Sequence, residues 1–559
     1  MSRRRLRAVA AALALALAAI VVRAAQISVL EHEQWLERAR RQHEQVITVP
    51  GPRGDIRTAD GYVLAASLDR DAVQVDTGLL TYPMLFAQAA APLLGVTPEE
   101  LMERLTTGPR AVWLAQRAPE AVAEALRDLA PDAVVLVPDW ERVYPLGTLA
   151  AATVGFVGRE ELRTVGRSGL EHHFDALLAG EPAQYLAVND AIRRRLRLER
   201  VQGGRTGADV VLTLDARIQA ASEAVLRRVV DEHDARAASA VVLEPSSGEL
   251  LALASVPGFD PEDAGAVPPE RWRLRPVQDA FEPGSTVKPL VAAAALASGV
   301  VRPGERFDCT HRGTRVAGRW IRDHAEPGLY TIDEIVIESA NAGIIEVAER
   351  VEPELLWRAL NGFGFGRRPG IGFPAEASGI LPEPERWSGM SRAGLALGQE
   401  LSASPLQVAV AYAAVANGGW KVRPRLVRED PWTGERMPET SEHVLDAPLA
   451  GRLAAMLESV VEHGTGQTAA VPGYRVAGKT GTAQRAGANG FDDDRHTAWF
   501  AGFLPLPDPR VVIVVAVENP ERGFWASEVA APAFASIAAS AMNRLGVPPV
   551  GRPVTGGTT

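Results

Sequence analysis

The sequence predicts an α+β protein in which an apolar N-terminal segment precedes two folded regions. Three observations favour this class. A basic start leads into an apolar run, a glycine-rich break lies near residue 205, and strand patterns stand at both ends of the second region with helical patterns between them. Strands grouped in this way favour an antiparallel sheet with a helical insertion over alternating βαβ units. The length of 559 residues suits roughly two to four domains.

Composition excludes several classes of function. The net charge is -10, and no basic stripe appears that would attract nucleic acid. Cys309 is the single cysteine, which excludes an intrachain disulfide and a thiolate zinc site. The ten histidines show no HExxH-type ligand spacing. We therefore expect no nucleic-acid partner, no metal site and no cofactor.

Lysine is rare in this chain. Of the 59 basic residues, only Lys288, Lys421 and Lys479 are lysines, and the others are arginines. A guanidinium keeps its proton in proteins, whereas an ammonium group can lose it. A chain that otherwise uses arginine is expected to retain lysine where an amine must become neutral. Lys288 and Lys479 both lie in the candidate catalytic motifs described below.

The N-terminus has the pattern of an export signal. Four arginines fall within residues 1–7, which predicts a basic cytoplasmic tail. The apolar run that follows ends at Arg23, whose long side chain can reach the interface, and residues 24–30 extend the run to a workable membrane span. We predict a retained transmembrane anchor over residues 8–30 and favour it over a cleaved signal peptide. The basic tail then places everything after residue 30 outside the cytoplasm.

Composition shifts divide the rest of the chain. A charged, helix-like neck and a turn-rich stretch at residues 50–55 open a mixed α/β region over residues 31–205, here called the pedestal. Glycines at 203, 204 and 207 mark its end. A second domain is predicted over residues 206–545. The segment 546–559 is rich in Gly, Pro and Thr and is predicted to be disordered.

The second domain begins and ends with regular elements. Asp215 is a candidate N-cap for a helix that runs through His233. Two strands follow at 239–244 and 249–254, joined by a turn. Near the C-terminus, strands are predicted at 497–503 and 511–518, with a helix at 526–545. This arrangement predicts a terminal antiparallel sheet with helices between its two halves.

The strongest motif has the form Ser-x-x-Lys and consists of Ser285 and Lys288. The apolar run over residues 290–297 predicts a helix that begins near Ser285. One turn of that helix would put the Lys288 amine close enough to accept the hydroxyl proton. Free N–H groups and the partial positive charge at a helix N-terminus would stabilise an oxyanion beside Ser285. The motif therefore predicts a serine nucleophile with a lysine base.

Two further motifs follow in the chain, a Ser-x-Asn motif of Ser339 and Asn341 and a Lys-Thr-Gly motif that begins at Lys479. In type and order the three motifs resemble the active-site motifs of the penicillin-binding protein family. The chain is most similar to class B members of the cell-division type, the FtsI-like peptidoglycan D,D-transpeptidases. The middle motif has Ala340 where relatives commonly have Ser. Supporting stretches are Arg53-Gly54-Asp55-Ile56, Tyr144-Pro145-Leu146-Gly147, Gly169-Leu170-Glu171 with Phe174-Asp175, Gly398-Gln399 with Ser404-Pro405-Leu406-Gln407, and Trp499-Phe500-Ala501-Gly502-Phe503.

The resemblance implies a fold and a set of acid–base roles. It implies a dimerisation-type pedestal over residues 31–205 and a transpeptidase domain like that of serine β-lactamases over residues 206–545. Ser285 would attack the carbonyl of the penultimate D-Ala, and Lys288 would accept its proton. Ser339 would relay a proton to the leaving amine, while Asn341 would bond the substrate amide and Lys288.

The Lys-Thr-Gly motif is implied to bind the substrate. Lys479 would supply positive charge, and the hydroxyls of Thr480 and Thr482 would hold the terminal carboxylate. Gly481 suits a strand edge that a ligand backbone approaches closely. The backbone N–H groups of Ser285 and Thr482 would form the oxyanion hole.

A rival interpretation is a nucleotide-binding P-loop, because residues 473–480 satisfy the pattern G-x-x-x-x-G-K-[ST]. A phosphate loop must follow a strand and open a helix. The residues before Gly473 are polar and broken, and those after Lys479 are rich in Gly, Asn and Asp. Nucleotide hydrolysis is therefore disfavoured.

Other proteins with the same three motifs remain as alternatives. A β-lactamase or a D,D-carboxypeptidase would transfer the acyl group to water, although a β-lactamase needs neither an anchor nor a pedestal. An elongation-type class B transpeptidase and an inert β-lactam-sensing scaffold are further alternatives. No acidic glycosyltransferase motif appears between residues 31 and 205, so the chain is expected to crosslink and not to polymerise.

The resemblance also implies partners and a location. The expected ligands are peptidoglycan stem peptides, as D-Ala-D-Ala donor and amine acceptor, and β-lactams. An FtsW-type glycan polymerase and other division proteins are the expected protein partners, contacted through the anchor and the pedestal. The expected location is the cytoplasmic (inner) membrane, with a single pass and a periplasmic catalytic domain.

Overall fold

The computed structural model describes residues 3–160, 163–189, 195–430, 432–487 and 490–549. The chain begins with α1 (Arg3–Ala25), which continues as a π-helical turn (Gln26–Leu30), and none of its residues is buried. This helix is long and apolar enough to cross a membrane. The neck helix α2 (His32–His43) follows directly.

The pedestal contains ten short or medium strands and six helices in the described part of the chain. Its strands are β1 (Glu44–Gly51), β2 (Ile56–Arg57), β3 (Val63–Asp76), β4 (Ala111–Ala118), β5 (Val134–Val143), β6 (Val157–Glu160), β7 (Arg163–Gly166), β8 (Gly180–Asn189), β9 (Arg195–Arg205) and β10 (Val210–Val211). Its helices are α3 (Pro83–Leu94), α4 (Pro98–Thr107), α5 (Glu120–Leu129), α6 (Ala151–Val154), α7 (Gly169–His173) and α8 (Asp175–Leu178).

Two sheets organise the pedestal. One has the order β1-β8-β9, and the other has the order β10-β2-β3-β4 with β5 also paired to β3. Helices α3 to α5 bury an apolar stripe against the second sheet, with Phe86, Leu101 and Leu126 among the buried side chains. Because Val210–Val211 pairs with Ile56–Arg57, the pedestal sheet extends beyond the predicted boundary at residue 205.

A buried ion cluster holds the pedestal segments together. Glu171 accepts from Arg53 Nη2 at 2.8 Å and from Arg142 Nε at 2.6 Å. Arg53 also donates to Asp175 at 2.7 Å. The side chains of Arg53, Arg142 and Glu171 are almost inaccessible to solvent. Buried charges persist only when they are paired in this way, so the cluster joins the Arg-Gly-Asp turn to α7 and β5.

The second domain carries the remaining elements. Its helices are α9 (Ala216–His233), α10 (Arg275–Gln278), α11 (Lys288–Ala297), α12 (Ile332–Ile337), α13 (Asn341–Arg350), α14 (Pro353–Gly362), α15 (Ser391–Ala396), α16 (Pro405–Ala416), α17 (Ala447–Glu462) and α18 (Ala530–Arg544). Its strands are β11 (Ala237–Leu243), β12 (Leu250–Val256), β13 (Arg306–Asp308), β14 (Gly313–Val316), β15 (Arg319–Arg322), β16 (Leu329–Thr331), β17 (Trp420–Val422), β18 (Ser441–His443), β19 (Ala477–Gly487), β20 (Gly490–Leu504) and β21 (Val511–Glu518).

The central sheet of this domain is antiparallel, as predicted, with the order β12-β11-β21-β20-β19. Helices α9 and α18 cover one face, and α11, α16 and α17 cover the other. Alternate residues of β21 therefore enter two different cores: Val515 packs with Phe534 of α18, and Val514 lies in the core of α16 and α17. Burial on both faces explains why this strand is an unbroken apolar run.

Helix α9 begins where the sequence predicts, whereas α18 begins later. The Asp215 side chain accepts from the N–H groups of Arg217 and Ile218, which confirms it as the N-cap of α9. Helix α18 begins at Ala530, later than the predicted residue 526. The Ala526 N–H donates to the Thr482 hydroxyl at 3.2 Å, so this residue belongs to a loop bonded to β19.

The first residues after α18 pack against the second domain. The Tyr474 hydroxyl donates to the Val547 carbonyl at 2.7 Å. Residues 546–549 of the predicted disordered tail thus contact the second domain, and residues 550–559 lie outside the described residues.

Candidate active site

The candidate nucleophile Ser285 lies in a short 3₁₀ turn, Gly284–Val287, at the entrance to α11. The α-helix itself begins only at Lys288, so its predicted start near Ser285 is one short turn too early. The buried Tyr412 hydroxyl donates to the Thr286 carbonyl at 2.8 Å. This hydrogen bond attaches the turn to helix α16. Ser285 itself is partly exposed to solvent.

Strand β19 approaches this turn very closely at Gly481. A Cβ atom on Gly481 would lie 2.6 Å from the Pro283 carbonyl oxygen and 2.8 Å from the Thr286 methyl group. No side chain fits that space without moving the turn. The glycine was expected to admit a ligand backbone, and the structure shows that its nearest neighbour is the nucleophile turn.

Lys288 is wholly buried and has three hydrogen-bonding partners. Its Nζ donates to the Ser339 carbonyl at 2.5 Å, to the Asn341 Oδ1 at 2.7 Å and to the Ser339 hydroxyl at 3.3 Å. Burial lowers the pKa of Lys288 to about 7, while the negative charge of Asp323 opposes that shift. The structure thus joins the first two predicted motifs through an amine that can be neutral near physiological pH.

The Ser-x-Asn motif connects two helices. Ser339 follows α12 and has a left-handed backbone with φ of 59°, which is uncommon for a residue other than glycine. Asn341 is the first residue of α13, and its Nδ2 donates to the Arg322 carbonyl at 2.9 Å. The asparagine amide therefore bridges Lys288 and the end of β15.

Asp323 is a site residue that the sequence did not reveal. It is buried next to Lys288, and its Oδ2 accepts from the Ala342 N–H at the start of α13. Its charge raises the pKa of Lys288 against the effect of burial. It belongs to no motif, and only the fold brings it to the amine.

Lys479 is also wholly buried, and a threonine network surrounds its amine. Its Nζ donates to the hydroxyls of Thr465 and Thr480, both at 3.3 Å. These two hydroxyls are hydrogen-bonded to each other at 2.7 Å. Thr465 was not predicted, although its position between two glycines after α17 is a signal for a turn residue close to a neighbouring backbone.

The pKa of Lys479 is lowered well below its usual range, first by burial and then by the positive charge of Lys288. Glu338 opposes this shift. The sequence predicted that Lys479 supplies positive charge, and burial makes that charge costly. A bound carboxylate would favour the protonated form.

Thr482 is bonded to a loop that carries two aromatic residues. The Thr482 hydroxyl accepts from Ala526, which fixes the loop carrying Phe524 and Trp525 beside β19. The Trp525 ring lies 5.5 Å from the His324 ring in an edge-on arrangement. This contact joins the loop before α18 to the loop that follows β15.

The structure also decides against the P-loop. Lys479 lies inside β19, which continues to Gly487, and no helix opens after it. A phosphate-binding helix N-terminus is therefore missing at this segment. Among the residues that the structure describes, no group of three or more His, Cys, Asp or Glu side chains is arranged to hold a metal ion.

Comparison with family descriptions assigns both folded regions. Residues 238–539 match the penicillin binding protein transpeptidase domain. Residues 48–212 match the penicillin-binding protein dimerisation domain. The two matches fall on the second domain and on the pedestal, respectively.

Similar proteins match along nearly the whole chain. The probable peptidoglycan D,D-transpeptidase PbpC of Pseudomonas aeruginosa is 30% identical over 540 residues, covering 96% of this chain and 94% of the relative. The peptidoglycan D,D-transpeptidase FtsI of Escherichia coli K12 is 29% identical over 545 residues, covering 96% and 91%. Penicillin binding protein 3 of Mycobacterium tuberculosis, solved with aztreonam, is 29% identical with a TM-score of 0.69, covering 92% of this chain and all of that one.

Proposed function

This chain belongs to the penicillin-binding protein transpeptidase family, and we propose that Ser285 is the nucleophile through which it forms an acyl-enzyme. The protein is a class B peptidoglycan D,D-transpeptidase of the FtsI type that acts on peptidoglycan and binds β-lactams. The roles of the individual residues described below are part of the proposal.

Acylation begins when Ser285 Oγ attacks the carbonyl carbon of the penultimate D-Ala. The neutral Lys288 amine accepts the hydroxyl proton, and backbone N–H groups of Ser285 and Thr482 stabilise the oxyanion. The C–N bond then breaks, and the proton held by Lys288 passes through the Ser339 hydroxyl to the departing D-Ala amine, which leaves Lys288 neutral again. The product is an ester between the stem peptide and Ser285.

Deacylation transfers the peptide to an acceptor amine. The amine attacks the ester carbonyl while Lys288 accepts its proton. The C–O bond to Ser285 then breaks, and Lys288 returns that proton to Ser285 Oγ. Because β19 is the edge strand of the central sheet, its outer edge is available to pair with an extended stem peptide. The same strand carries Lys479, Thr480 and Thr482, which bind the terminal carboxylate of the substrate.

The environment of the Lys288 amine is the observation that supports the proposed acyl transfer most strongly. The Lys288 amine is wholly buried, hydrogen-bonded to Ser339 and Asn341, and has a pKa lowered to about 7 by burial. An ordinary surface lysine stays protonated at neutral pH and cannot act as a base. The environment of Lys288 suits proton transfer to and from a neighbouring serine.

The test of the proposed activity is a crosslinking assay with uncrosslinked peptidoglycan strands. The wild-type chain is expected to release D-Ala and to form dimeric peptide products, and Ser285→Ala is expected to do neither. Release of D-Ala without dimers would assign the chain as a D,D-carboxypeptidase. Dimer formation by Ser285→Ala would contradict the proposed nucleophile.

The proposal also covers the membrane orientation of the chain and its protein partners. The basic tail before α1 favours a single-pass orientation with the pedestal and the transpeptidase domain on the periplasmic side of the inner membrane. Similarity to FtsI favours a role in septal wall synthesis over elongation, with an FtsW-type polymerase and other division proteins as partners. Crosslinking of the pedestal to such a polymerase in membranes would test this arrangement.

A further inference from the structure

A small hairpin beside the active site presents two different faces. It consists of β14 and β15, with Val316 opposite Arg319 and Thr314 opposite Ile321. Val316 and Ile321 pack inward against Ile345 of α13 and Leu397. Neighbouring positions along a strand point to opposite sides of the hairpin. Arg315 of β14 and both Trp320 and Arg322 of β15 therefore point outward.

The outward face combines an indole ring with guanidinium groups. Trp320 is 50% exposed, lies opposite Arg315, and shares its face with Arg322. A Cβ atom on Gly313 would lie 2.8 Å from the Trp320 ring, so the indole rests across the glycine. One ring face is therefore supported by backbone, and the other side is left accessible to solvent.

The charges on this face are not neutralised by carboxylates. Arg315 donates to the Gly318 carbonyl at 3.3 Å, and within the part of the chain that the structure describes neither Arg315 nor Arg322 forms an ion pair. The whole chain has a net charge of -10, so this cationic aromatic surface is a local exception. Planar guanidinium groups are suited to paired hydrogen bonds with carboxylates.

The hairpin is attached directly to the catalytic residues. Asn341 Nδ2 donates to the Arg322 carbonyl, and the Ala342 N–H donates to the buried Asp323 carboxylate. Asp323 is the third residue after Trp320 along the chain, a span of about 10 Å if the backbone is extended. A ligand held on the outward face therefore lies close to the groups that surround Lys288.

We infer that Trp320, Arg315 and Arg322 form a binding platform for an uncrosslinked peptidoglycan strand. The indole stacks against a sugar ring, and the two guanidinium groups pair with stem-peptide carboxylates. The strand is the occupant that offers both chemistries, pyranose rings and anionic peptides, next to this active site. The inference rests on the proposed function and adds a contact for the polymer outside the acyl-transfer centre.

The experiment measures equilibrium binding of soluble uncrosslinked glycan–peptide strands to the full-length chain in detergent. Trp320→Ala is expected to weaken binding about tenfold, the effect of one aromatic contact, and Trp320→Phe to restore most of it. The matched control is Trp432→Ala, because Trp432 is 63% exposed on a different loop. A double variant, Arg315→Gln with Arg322→Gln, is expected to weaken binding and to reduce its salt dependence, with Arg428→Gln as its control.

Strands stripped of their peptides separate the two contacts. The Trp320→Ala effect is expected to persist on them, whereas the arginine effect is expected to vanish. Equal binding by Trp320→Ala and wild type, or an equal loss in Trp432→Ala, would overturn the platform.

Labelling of each variant by a fluorescent penicillin reports on the Ser285 site. A wild-type chain without label would count against the proposed function, and labelled protein with unaltered strand binding in Trp320→Ala would count against the platform alone.

Discussion

Lys288 and Lys479 occupy one buried site, and the positive charge of Lys288 is one cause of the lowered pKa of Lys479. Burial is the larger cause for both amines. Two ammonium ions in such a site disfavour each other, which favours the loss of one proton. A substrate carboxylate near Lys479 would favour a proton there and leave Lys288 neutral as the base.

The rate of acylation is expected to depend on the protonation of Lys288. A base acts in its neutral form, and the pKa of Lys288 is lowered to about 7. Acylation should therefore rise as the pH increases through about 7. Lys288→Arg keeps the charge but supplies no base, so its rate should fall about 10²- to 10⁴-fold. Stopped-flow acylation with a chromogenic β-lactam between pH 6 and about pH 10 measures both effects.

Lys421→Arg is the matched control, since Lys421 is the remaining lysine and pairs with Glu442 outside the active site. It should acylate at the wild-type rate. Near wild-type acylation by Lys288→Arg, together with an inactive Lys479→Arg, would identify Lys479 as the base acting through Ser339.

Asp323→Asn is expected to move the pH profile. The carboxylate of Asp323 raises the pKa of Lys288, so its removal should lower that pKa further. The rising limb of the acylation profile should shift to lower pH, with the plateau rate less affected. Asp430→Asn, which changes a carboxylate in an exposed turn, should leave the midpoint unchanged. A shift to higher pH in Asp323→Asn would contradict the assigned electrostatics.

Gly481→Ala tests the close approach of β19 to the nucleophile turn. The new methyl group would meet the Pro283 carbonyl at 2.6 Å, so the turn must move. We expect acylation to fall on the order of 100-fold and the free energy of unfolding to fall by about 1–3 kcal/mol. In the control, Gly451→Ala, the methyl group meets no atom within 4 Å and lies inside α17, so stability should hold or rise. Unchanged acylation by Gly481→Ala would refute the packing argument.

Glu171→Gln is expected to destabilise the pedestal. The substitution leaves the buried guanidinium groups of Arg53 and Arg142 without their shared carboxylate. Loss of one partner from a buried charge cluster typically costs about 3–5 kcal/mol in the free energy of unfolding. Thermal unfolding of the full chain in detergent measures the loss. Glu124→Gln removes an exposed partner of Arg127 and should have little effect.

The sequence predicted the antiparallel sheet and the N-cap of α9 because those features are encoded by local patterns. It did not predict Asp323 or Thr465, since each reaches Lys288 or Lys479 only through tertiary packing. The start of α11 was misplaced for a related reason. Helical periodicity does not distinguish a 3₁₀ turn from the first α-helical turn, and contacts from β19 and Tyr412 hold the turn at Ser285.

Mass spectrometry of a β-lactam adduct tests the central claim most directly. The strained amide of a β-lactam presents a reactive carbonyl and a carboxylate like those of the D-Ala-D-Ala terminus. After reaction with a penicillin and proteolysis, the adduct is expected on Ser285, in the peptide that contains Lys288, and is expected to be absent from Ser285→Ala. An adduct on another residue, or none on folded wild-type protein, would contradict Ser285 as the nucleophile.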